Sequence, residues 1–246
     1  MEKDVLIEEN HLKVPAFFIT PEKDLFSAVI LIHEVWGLNE NIREISRRLF
    51  KEGYAVLAPD ILEDTGITKI LDKRVFKAFS DPAERNFAQK KIREALSPMQ
   101  SLDFSRNMIA KLKACHAYLE KMENVADVAV MGFCFGGTYS FALAVNEHRL
   151  KACVVYYGMP PDPIEGVQKI RCPILAFYGE ADERLIASFP ALKGKMEAYG
   201  KDFRYKIYKK SGHAFFNDKN RLMYNKAAAD DSWRKVLEFL KETLTP

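Results

Sequence analysis

One cysteine, Cys134, lies in the stretch MGFCFGG, between a hydrophobic run and a helix-like run. A strand followed by a glycine-flanked nucleophile and then a helix is typical of a nucleophile elbow. The turn strains the backbone of the middle residue, and only glycine neighbours avoid side-chain collisions there. We therefore expect Cys134 to project into a pocket, with clearance from Gly132, Gly136 and Gly137. The alternative is a small buried cysteine in a glycine-rich turn.

The start of the helix after Cys134 adds a second reason to expect chemistry at this position. Unpaired backbone N–H groups and the helix dipole favour negative charge, both on a thiolate and on a developing oxyanion. The backbone N–H of Phe135 is therefore the natural oxyanion donor.

A nucleophile at such an elbow needs a base and an orienting carboxylate, which follow it in the order acid, then histidine. GEAD, after the strand-like PILAFYG, contains Asp182, and SGHAFF, after FRYKIYKK, contains His213. Glu180 and Glu183 are competing carboxylates that spacing alone leaves open. His33 also ends a strand, whereas three other histidines are expected at the surface: His11, His116 and His148.

The stretch LIHEVWGLNENIRE, residues 31–44, follows another strand and lies beside the elbow if the sheet is doubly wound. Enzymes with this elbow draw a second oxyanion donor from this loop, so the backbone N–H of Val35 is the candidate. Trp36 is expected to shape the pocket wall, and Asn39 to cap the helix that follows. Glu34 is either the partner of a nearby arginine or a catalytic carboxylate, whose charge would raise the cost of ionising the thiol.

Short β-rich runs alternate with amphipathic helical patterns along the chain. The predicted strands are residues 12–20, 27–33, 54–59, 127–132, 151–158, 173–179 and 203–209, and the predicted helices are 40–52, 101–123, 136–147, 188–199 and 221–242. This alternation predicts an α/β fold with a mostly parallel, doubly wound sheet and helices on both faces. The first two strands lack an intervening helix and are expected to form an antiparallel edge.

One domain over residues 1–246 is the simplest organisation, because no repeat or Pro/Gly-rich linker interrupts the pattern. Residues 61–100 contain no strand signal between a predicted strand and the next long helix. This segment is either a cap over the pocket or a surface excursion.

Composition limits the classes of partner. Lys and Arg number 37 against 34 Asp and Glu, and they are interspersed along helix faces, so no nucleic-acid partner is predicted.

The first ten residues are largely charged and the apolar runs are short, so the sequence predicts neither a signal peptide nor a membrane span. We therefore expect a cytoplasmic protein. The four cysteines lack metal-ligand spacing, so no metal is predicted, and three of them are expected to be small buried residues: Cys115, Cys153 and Cys172.

The segments HEVWGLNENIREISRRLFKEGYAVLAPD, GFCFGGTYS, YYG, YGEAD and SGHAF, in that order, resemble the dienelactone hydrolases, which are cysteine-dependent members of the α/β-hydrolase fold. The resemblance runs over nearly the whole chain. It implies a cofactor-free hydrolase of carboxylic esters or lactones with a triad of Cys134, Asp182 and His213, and with Glu34 as a fourth active-site residue. It also implies a resting thiol paired with Glu34, which takes the thiol proton when substrate shifts the carboxylate.

The substrate side of the pocket departs from the family pattern. An arginine a few residues after the catalytic histidine helps to hold a substrate carboxylate in the family, whereas the fourth residue after His213 is Asn217. Arg74 and Arg85 are the candidates for a second family arginine. Tyr157, like Trp36, is either a substrate contact or part of the core.

Three other functions use the same residues. A thioesterase or acyl transferase would share the triad, and a non-catalytic small-molecule binding module would keep the pocket with an inert Cys134. A redox sensor is disfavoured because no resolving cysteine is evident from the spacing. The expected partner is a small-molecule ester or lactone, and the expected state is a monomer.

Overall fold

Eight strands form one sheet in the part of the chain that the computed structural model describes. That part comprises residues 1–79, 81 and 83–245, without the side chains of residues 79, 85 and 100. The strands are β1 (Glu2–Glu9), β2 (Leu12–Ile19), β3 (Phe26–Ile32), β4 (Ala55–Pro59), β5 (Val125–Phe133), β6 (Ala152–Tyr156), β7 (Ile174–Gly179) and β8 (Phe203–Tyr208). Their order across the sheet is β1-β2-β4-β3-β5-β6-β7-β8.

The sheet is parallel from β4 to β8 and antiparallel at one edge, which confirms the predicted fold class. The expected pairing of the first two predicted strands is wrong, because β2 pairs antiparallel with β1 and β4, and β4 separates it from β3. The edge strand β1 was not predicted. Its sequence EKDVLIEE buries only Ile7, so it lacks the apolar alternation of a half-buried strand.

Eight α-helices accompany the strands in the described residues: α1 (Glu40–Lys51), α2 (Ile67–Ile70), α3 (Lys73–Phe79), α4 (Arg85–Leu96), α5 (Leu102–Glu120), α6 (Phe135–Asn146), α7 (Glu183–Ala198) and α8 (Lys226–Thr243). Arg48 of α1 lies 4.0 Å from the Trp233 ring centroid of α8, so these helices share one face. Helices α5 and α6 pack together on the other face. The strands between them are buried on both sides, as the near-continuous apolar runs of β3, β4, β6 and β7 predicted.

Helix α1 illustrates how the sequence sets an element that borders the site. The side chain of Asn39 accepts a hydrogen bond from the backbone N–H of Ile42, as expected of an N-cap. Ile42, Ile45 and Leu49 recur at helical spacing and are buried. The loop that ends at Asn39 is therefore fixed at both of its ends, by β3 and by α1.

The residues of the predicted site all follow carboxyl ends of parallel strands. Glu34 follows β3, Cys134 follows β5, Asp182 follows β7 and His213 follows β8. Because parallel strands end at the same edge of a sheet, the loops that carry these side chains meet above that edge.

Residues 61–100 form short helices with no strand among their described residues. Two positions near the end of this segment, Leu96 and Met99, line a cavity above the sheet. Phe76 of α3 packs edge-on against Trp36, with ring centroids 5.0 Å apart. Parts of this segment therefore lie next to residues of the predicted site.

Among the described residues, no helix is both long enough and apolar enough to cross a membrane.

Candidate active site

The elbow at Cys134 has the strained backbone that its sequence predicts. Cys134 has φ 54° and ψ −112°, a region that residues with a Cβ rarely adopt. Its N–H donates to the carbonyl oxygen of Tyr156 at 2.9 Å, and its own carbonyl accepts from Thr138 N at 3.0 Å. Neighbouring strand and helix thus hold the conformation in place.

Two glycines around the elbow are required by close contacts. A Cβ at Gly132 would lie 2.2 Å from the carbonyl oxygen of Gly136. A Cβ at Gly136 would lie 2.2 Å from the carbonyl oxygen of Ile32 in β3. The expected clearance is therefore a backbone-to-backbone approach between β3, β5 and α6.

Asp182 is the carboxylate that contacts His213. Its Oδ2 lies 2.5 Å from His213 Nδ1, so the ring N–H donates to the carboxylate. Glu180, a competing carboxylate, instead accepts from the backbone N–H of Lys210 at 3.4 Å. Glu183 begins α7. The spacing in the sequence left Asp182, Glu180 and Glu183 as alternatives, and the structure shows that Asp182 is the one hydrogen bonded to His213.

His213 lies between this carboxylate and the cysteine. Burial lowers the pKa of His213, but the adjacent Cys134 sulfur and the Asp182 carboxylate outweigh it and raise the pKa well above its ordinary value. The ring of Tyr157 lies 5.0 Å from the His213 ring. The His213 side chain remains 42% exposed, so its other face is open to a ligand.

Glu34 is buried beside this group, with 5% exposure. Its Oε2 accepts a hydrogen bond from Nδ2 of Asn217 at 2.8 Å. Burial raises the pKa of Glu34, while His213, the Asn217 amide and His33 act in the opposite direction. Within the described residues its partner is thus an amide, where the sequence left an arginine or the pocket as alternatives.

The loop after β3 is held by the Glu34 backbone. Nδ1 of His33 lies 2.6 Å from the Glu34 carbonyl oxygen, which also accepts from Gly37 N at 3.1 Å. The next residue, Val35, and the first residue of α6, Phe135, both line the cavity that contains Cys134. The N–H of Phe135 is one of the first-turn donors that have no partner within a helix.

The cavity has a volume of about 410 Å³. Most of its wall is apolar, from Val35, Leu96, Met99, Tyr139, Met159 and Leu185. Cys134, Asp182 and His213 also line it. Arg184, which the sequence reasoning missed, also lines it and is exposed. Its position two residues after Asp182 was the available signal.

Of the residues predicted to contact substrate, Tyr157 lines the cavity and the others with described side chains do not. Tyr157 lines the cavity and has φ 38°. Trp36 packs on Phe76, and the Arg74 guanidinium lies 5.2 Å from the Phe87 ring centroid. None of Trp36, Arg74 and Asn217 is among the described residues that line the cavity. The side chain of Arg85, the other candidate arginine, lies outside the described residues.

The cysteines other than Cys134 are free and buried, as expected. Burial raises the pKa of Cys172 to about 12 and also raises the pKa values of Cys115 and Cys153. His116, expected at the surface, is instead 1% exposed, because α5 packs against β5 and α6 there. No group of three potential metal ligands was found in residues 1–79, 81 and 83–245.

Comparisons with known proteins agree with this architecture. The dienelactone hydrolase family model matches residues 14–244. A relative from Saccharolobus solfataricus, provisionally named a carboxymethylenebutenolidase, is 38% identical and the match covers 98% of each chain. A provisionally assigned dienelactone hydrolase from Klebsiella pneumoniae, 21% identical, has a TM-score of 0.82 over 97% of each chain. A dienelactone hydrolase-like promiscuous phosphotriesterase from metagenomic libraries, also 21% identical, has a TM-score of 0.79 over 100% of this chain and 99% of its own.

Proposed function

The chain belongs to the dienelactone hydrolase family, and we propose that it hydrolyses carboxylic ester or lactone bonds through an acyl-thioester on Cys134. One arrangement carries the proposal: a strained elbow cysteine, a histidine beside it, and Asp182 at 2.5 Å from the far ring nitrogen of His213. A nucleophile, a base and an orienting acid in series are the requirements of acyl transfer.

In the first half-reaction the Cys134 thiolate attacks the carbonyl carbon. A C–S bond forms while the C=O π electrons move to oxygen, and the backbone N–H groups of Phe135 and Val35 stabilise the resulting oxyanion. The tetrahedral adduct then expels the alkoxide, or opens the lactone ring. The leaving oxygen takes its proton from Nε2 of the His213 imidazolium.

In the second half-reaction water cleaves the thioester. Neutral His213 accepts a proton from water at Nε2 while the water oxygen attacks the acyl carbon. The C–S bond breaks, the acid leaves, and the thiolate and imidazolium are restored. Asp182 keeps the Nδ1 proton in place throughout, so that Nε2 is always the nitrogen that faces the reaction.

Glu34 acts on the two members of this pair in opposite directions, because a carboxylate favours the imidazolium and raises the cost of ionising a nearby thiol. It is buried and its charge interacts with His213, so an ionised Glu34 stabilises the imidazolium. The family resemblance gives Glu34 a further role as acceptor of the thiol proton. The proton would go to Oε1, because Oε2 already accepts the hydrogen bond from Asn217.

The cavity limits the substrate. A volume of about 410 Å³ with mainly apolar walls suits a small acyl group or ring. Arg184 lines the cavity and is exposed, and it lies two residues after Asp182 in the sequence. Its guanidinium offers a contact for a substrate that carries a carboxylate.

The test combines kinetics with trapping. Hydrolysis of a panel of neutral and carboxylate-bearing lactones and esters is measured for the wild type and Cys134→Ala. Exposure to an activated ester, followed by intact mass measurement, is expected to add one acyl group to the wild type and none to the variant. Turnover that survives in Cys134→Ala would remove the proposed nucleophile.

The same assay separates the rival functions. Addition of an alcohol or thiol acceptor leaves the acid as the sole product if the protein is a hydrolase, and diverts acyl groups to the acceptor if it is a transferase. A binding module would bind the panel without forming any adduct on Cys134.

A further inference from the structure

We propose that His33 is a positioning residue of the oxyanion hole. Its ring holds the Glu34 carbonyl oxygen, and thereby turns the N–H of the same peptide unit, which belongs to Val35, toward the cavity that contains Cys134. The inference rests on the proposed function, because an oxyanion forms here only if Cys134 attacks a carbonyl carbon.

The His33 ring is buried, and its hydrogen bond has only one possible direction. The side chain is 0% exposed, and Nδ1 lies 2.6 Å from the Glu34 carbonyl oxygen. A carbonyl oxygen only accepts, so Nδ1 carries the proton and donates it. The backbone N–H of Gly37 donates to the same oxygen at 3.1 Å. Two donors therefore fix the direction of this carbonyl.

The direction of the carbonyl determines that of the Val35 N–H. The peptide bond between Glu34 and Val35 is trans and planar, so its C=O and N–H groups point in opposite directions. Within the described residues the Val35 N–H has no hydrogen-bond acceptor, and Val35 lines the same cavity as Cys134. A donor fixed in this way suits an oxyanion hole, because it needs no reorientation when negative charge develops.

The same ring contacts the residue that supplies the other oxyanion donor. The rings of His33 and Phe135 are stacked, with centroids 6.0 Å apart and 14° between their planes. The second ring nitrogen, Nε2, lies 3.5 Å from Oδ1 of Asp60, the residue after β4. The His33 ring thus contacts the loops after β3 and β4 and the start of α6. A shift of this ring would change the position of one oxyanion donor relative to the other.

Two substitutions of similar shape isolate the hydrogen bond. Leucine and asparagine branch in the same way at Cγ, but only asparagine places an N–H donor where Nδ1 lies. His33→Leu should therefore release the Glu34 carbonyl, and His33→Asn should keep it held. His33→Phe is a second variant without a donor, and it keeps an aromatic ring against Phe135.

His116→Leu is the matched control for the loss of a buried histidine. His116 is 1% exposed, lies in α5 and lines a cavity other than the one that contains Cys134.

Steady-state hydrolysis of one ester gives the first readout. We expect His33→Leu and His33→Phe to lower kcat about 100-fold with little change in KM, because an oxyanion donor acts on the transition state and not on the bound substrate. His33→Asn should recover most of this loss, and His116→Leu should keep the wild-type kcat. A role in packing alone predicts the reverse order, because asparagine fills the site of the ring less well than leucine does.

The carbonyl stretch of the acyl-enzyme gives the second readout. An isotopically labelled acyl group that is released slowly is transferred to Cys134 from an activated ester, and difference infrared spectra record its carbonyl frequency. Oxyanion donors polarise this bond, so we expect a higher frequency in His33→Leu than in the wild type and in His33→Asn.

The outcomes separate this inference from the function on which it rests. A wild-type protein that forms no acyl adduct on Cys134 would reject the proposed function, and the role of His33 with it. If the adduct forms, equal carbonyl frequencies or equal kcat values in the wild type and His33→Leu would overturn the inference alone. A loss of kcat in His33→Asn as large as that in His33→Leu would also overturn it, and would leave the proposed function intact.

Discussion

Asp182 Oδ2 and His213 Nδ1 lie 2.5 Å apart although 31 positions separate the residues in the chain. They meet because β7 and β8 are adjacent and parallel, so the loops after them leave the sheet at the same edge. The Asp182 side chain is only 11% exposed. A charge-assisted hydrogen bond in so sheltered a position fixes the ring orientation as well as its tautomer.

Replacing Asp182 by Asn should disable turnover with little change in fold. The amide permits the wrong imidazole tautomer and no longer stabilises the imidazolium, so kcat should fall by roughly 10³ to 10⁴-fold. Glu180→Gln is the matched control, because Glu180 lies in the same loop as Asp182 and its side chain accepts a hydrogen bond from the backbone N–H of Lys210, not from His213. Steady-state hydrolysis of one ester by both variants makes the comparison, and equal losses would argue against Asp182 as the orienting acid.

Gly136→Ala should destabilise the protein because the added Cβ would lie 2.2 Å from the Ile32 carbonyl oxygen. We expect a loss of about 3 kcal/mol or more in the free energy of unfolding. Gly194, inside α7, has no atom within 4 Å of an added Cβ. Gly194→Ala should therefore stabilise the helix by about 0.5–1 kcal/mol. Denaturant unfolding measures both changes, and similar values would contradict the packing argument.

Glu34→Gln should stabilise the fold at neutral pH. Burial raises the folded-state pKa of Glu34 above its unfolded value, so the folded state loses stability as the pH rises from the unfolded pKa through the folded one. The variant avoids this loss and should melt a few degrees higher at pH 8, at about 2–4 °C for each kcal/mol. The gain should vanish near pH 4, where the Glu34 carboxyl is mostly neutral in both the folded and the unfolded protein. A lower melting temperature at pH 8 would contradict the sign.

Arg184→Gln should affect only substrates that carry a negative charge. Arg184 lines the same cavity as Cys134, Asp182 and His213, so we expect its guanidinium to attract a carboxylate without taking part in bond cleavage. We expect a higher KM for a carboxylate-bearing lactone and an unchanged KM for its neutral methyl ester. Arg74→Gln is the control, because Arg74 stacks on Phe87. Equal effects of the two variants would exclude Arg184 from charge recognition.

Much of the architecture could be predicted because it depends on strong local signals. The apolar runs of the buried strands and the glycines around Cys134 each have one simple structural solution. The open edge could not be predicted in the same way. Residues 2–9 are mostly charged, and they form a strand only because β2 offers unpaired backbone groups beside them.

The site divides along a similar line. Cys134, Asp182 and His213 follow strand ends, and strand ends are readable in sequence. The hydrogen bond between Asn217 and Glu34 joins side chains 183 positions apart, and no local pattern signals it. The rim position of Arg184 depends on the direction of the first turn of α7, which spacing does not determine.

The bend at position 134 is imposed by carbonyl oxygens that press against glycines on either side of it. Those contacts involve main-chain atoms, so the scaffold aims whatever group the position carries. A serine in place of Cys134 would therefore change the reactivity of the group at this bend and leave the direction of its Cα–Cβ bond unchanged. The reactive atom at position 134 can thus change in evolution by substitution of one codon, with no change in the backbone that surrounds it.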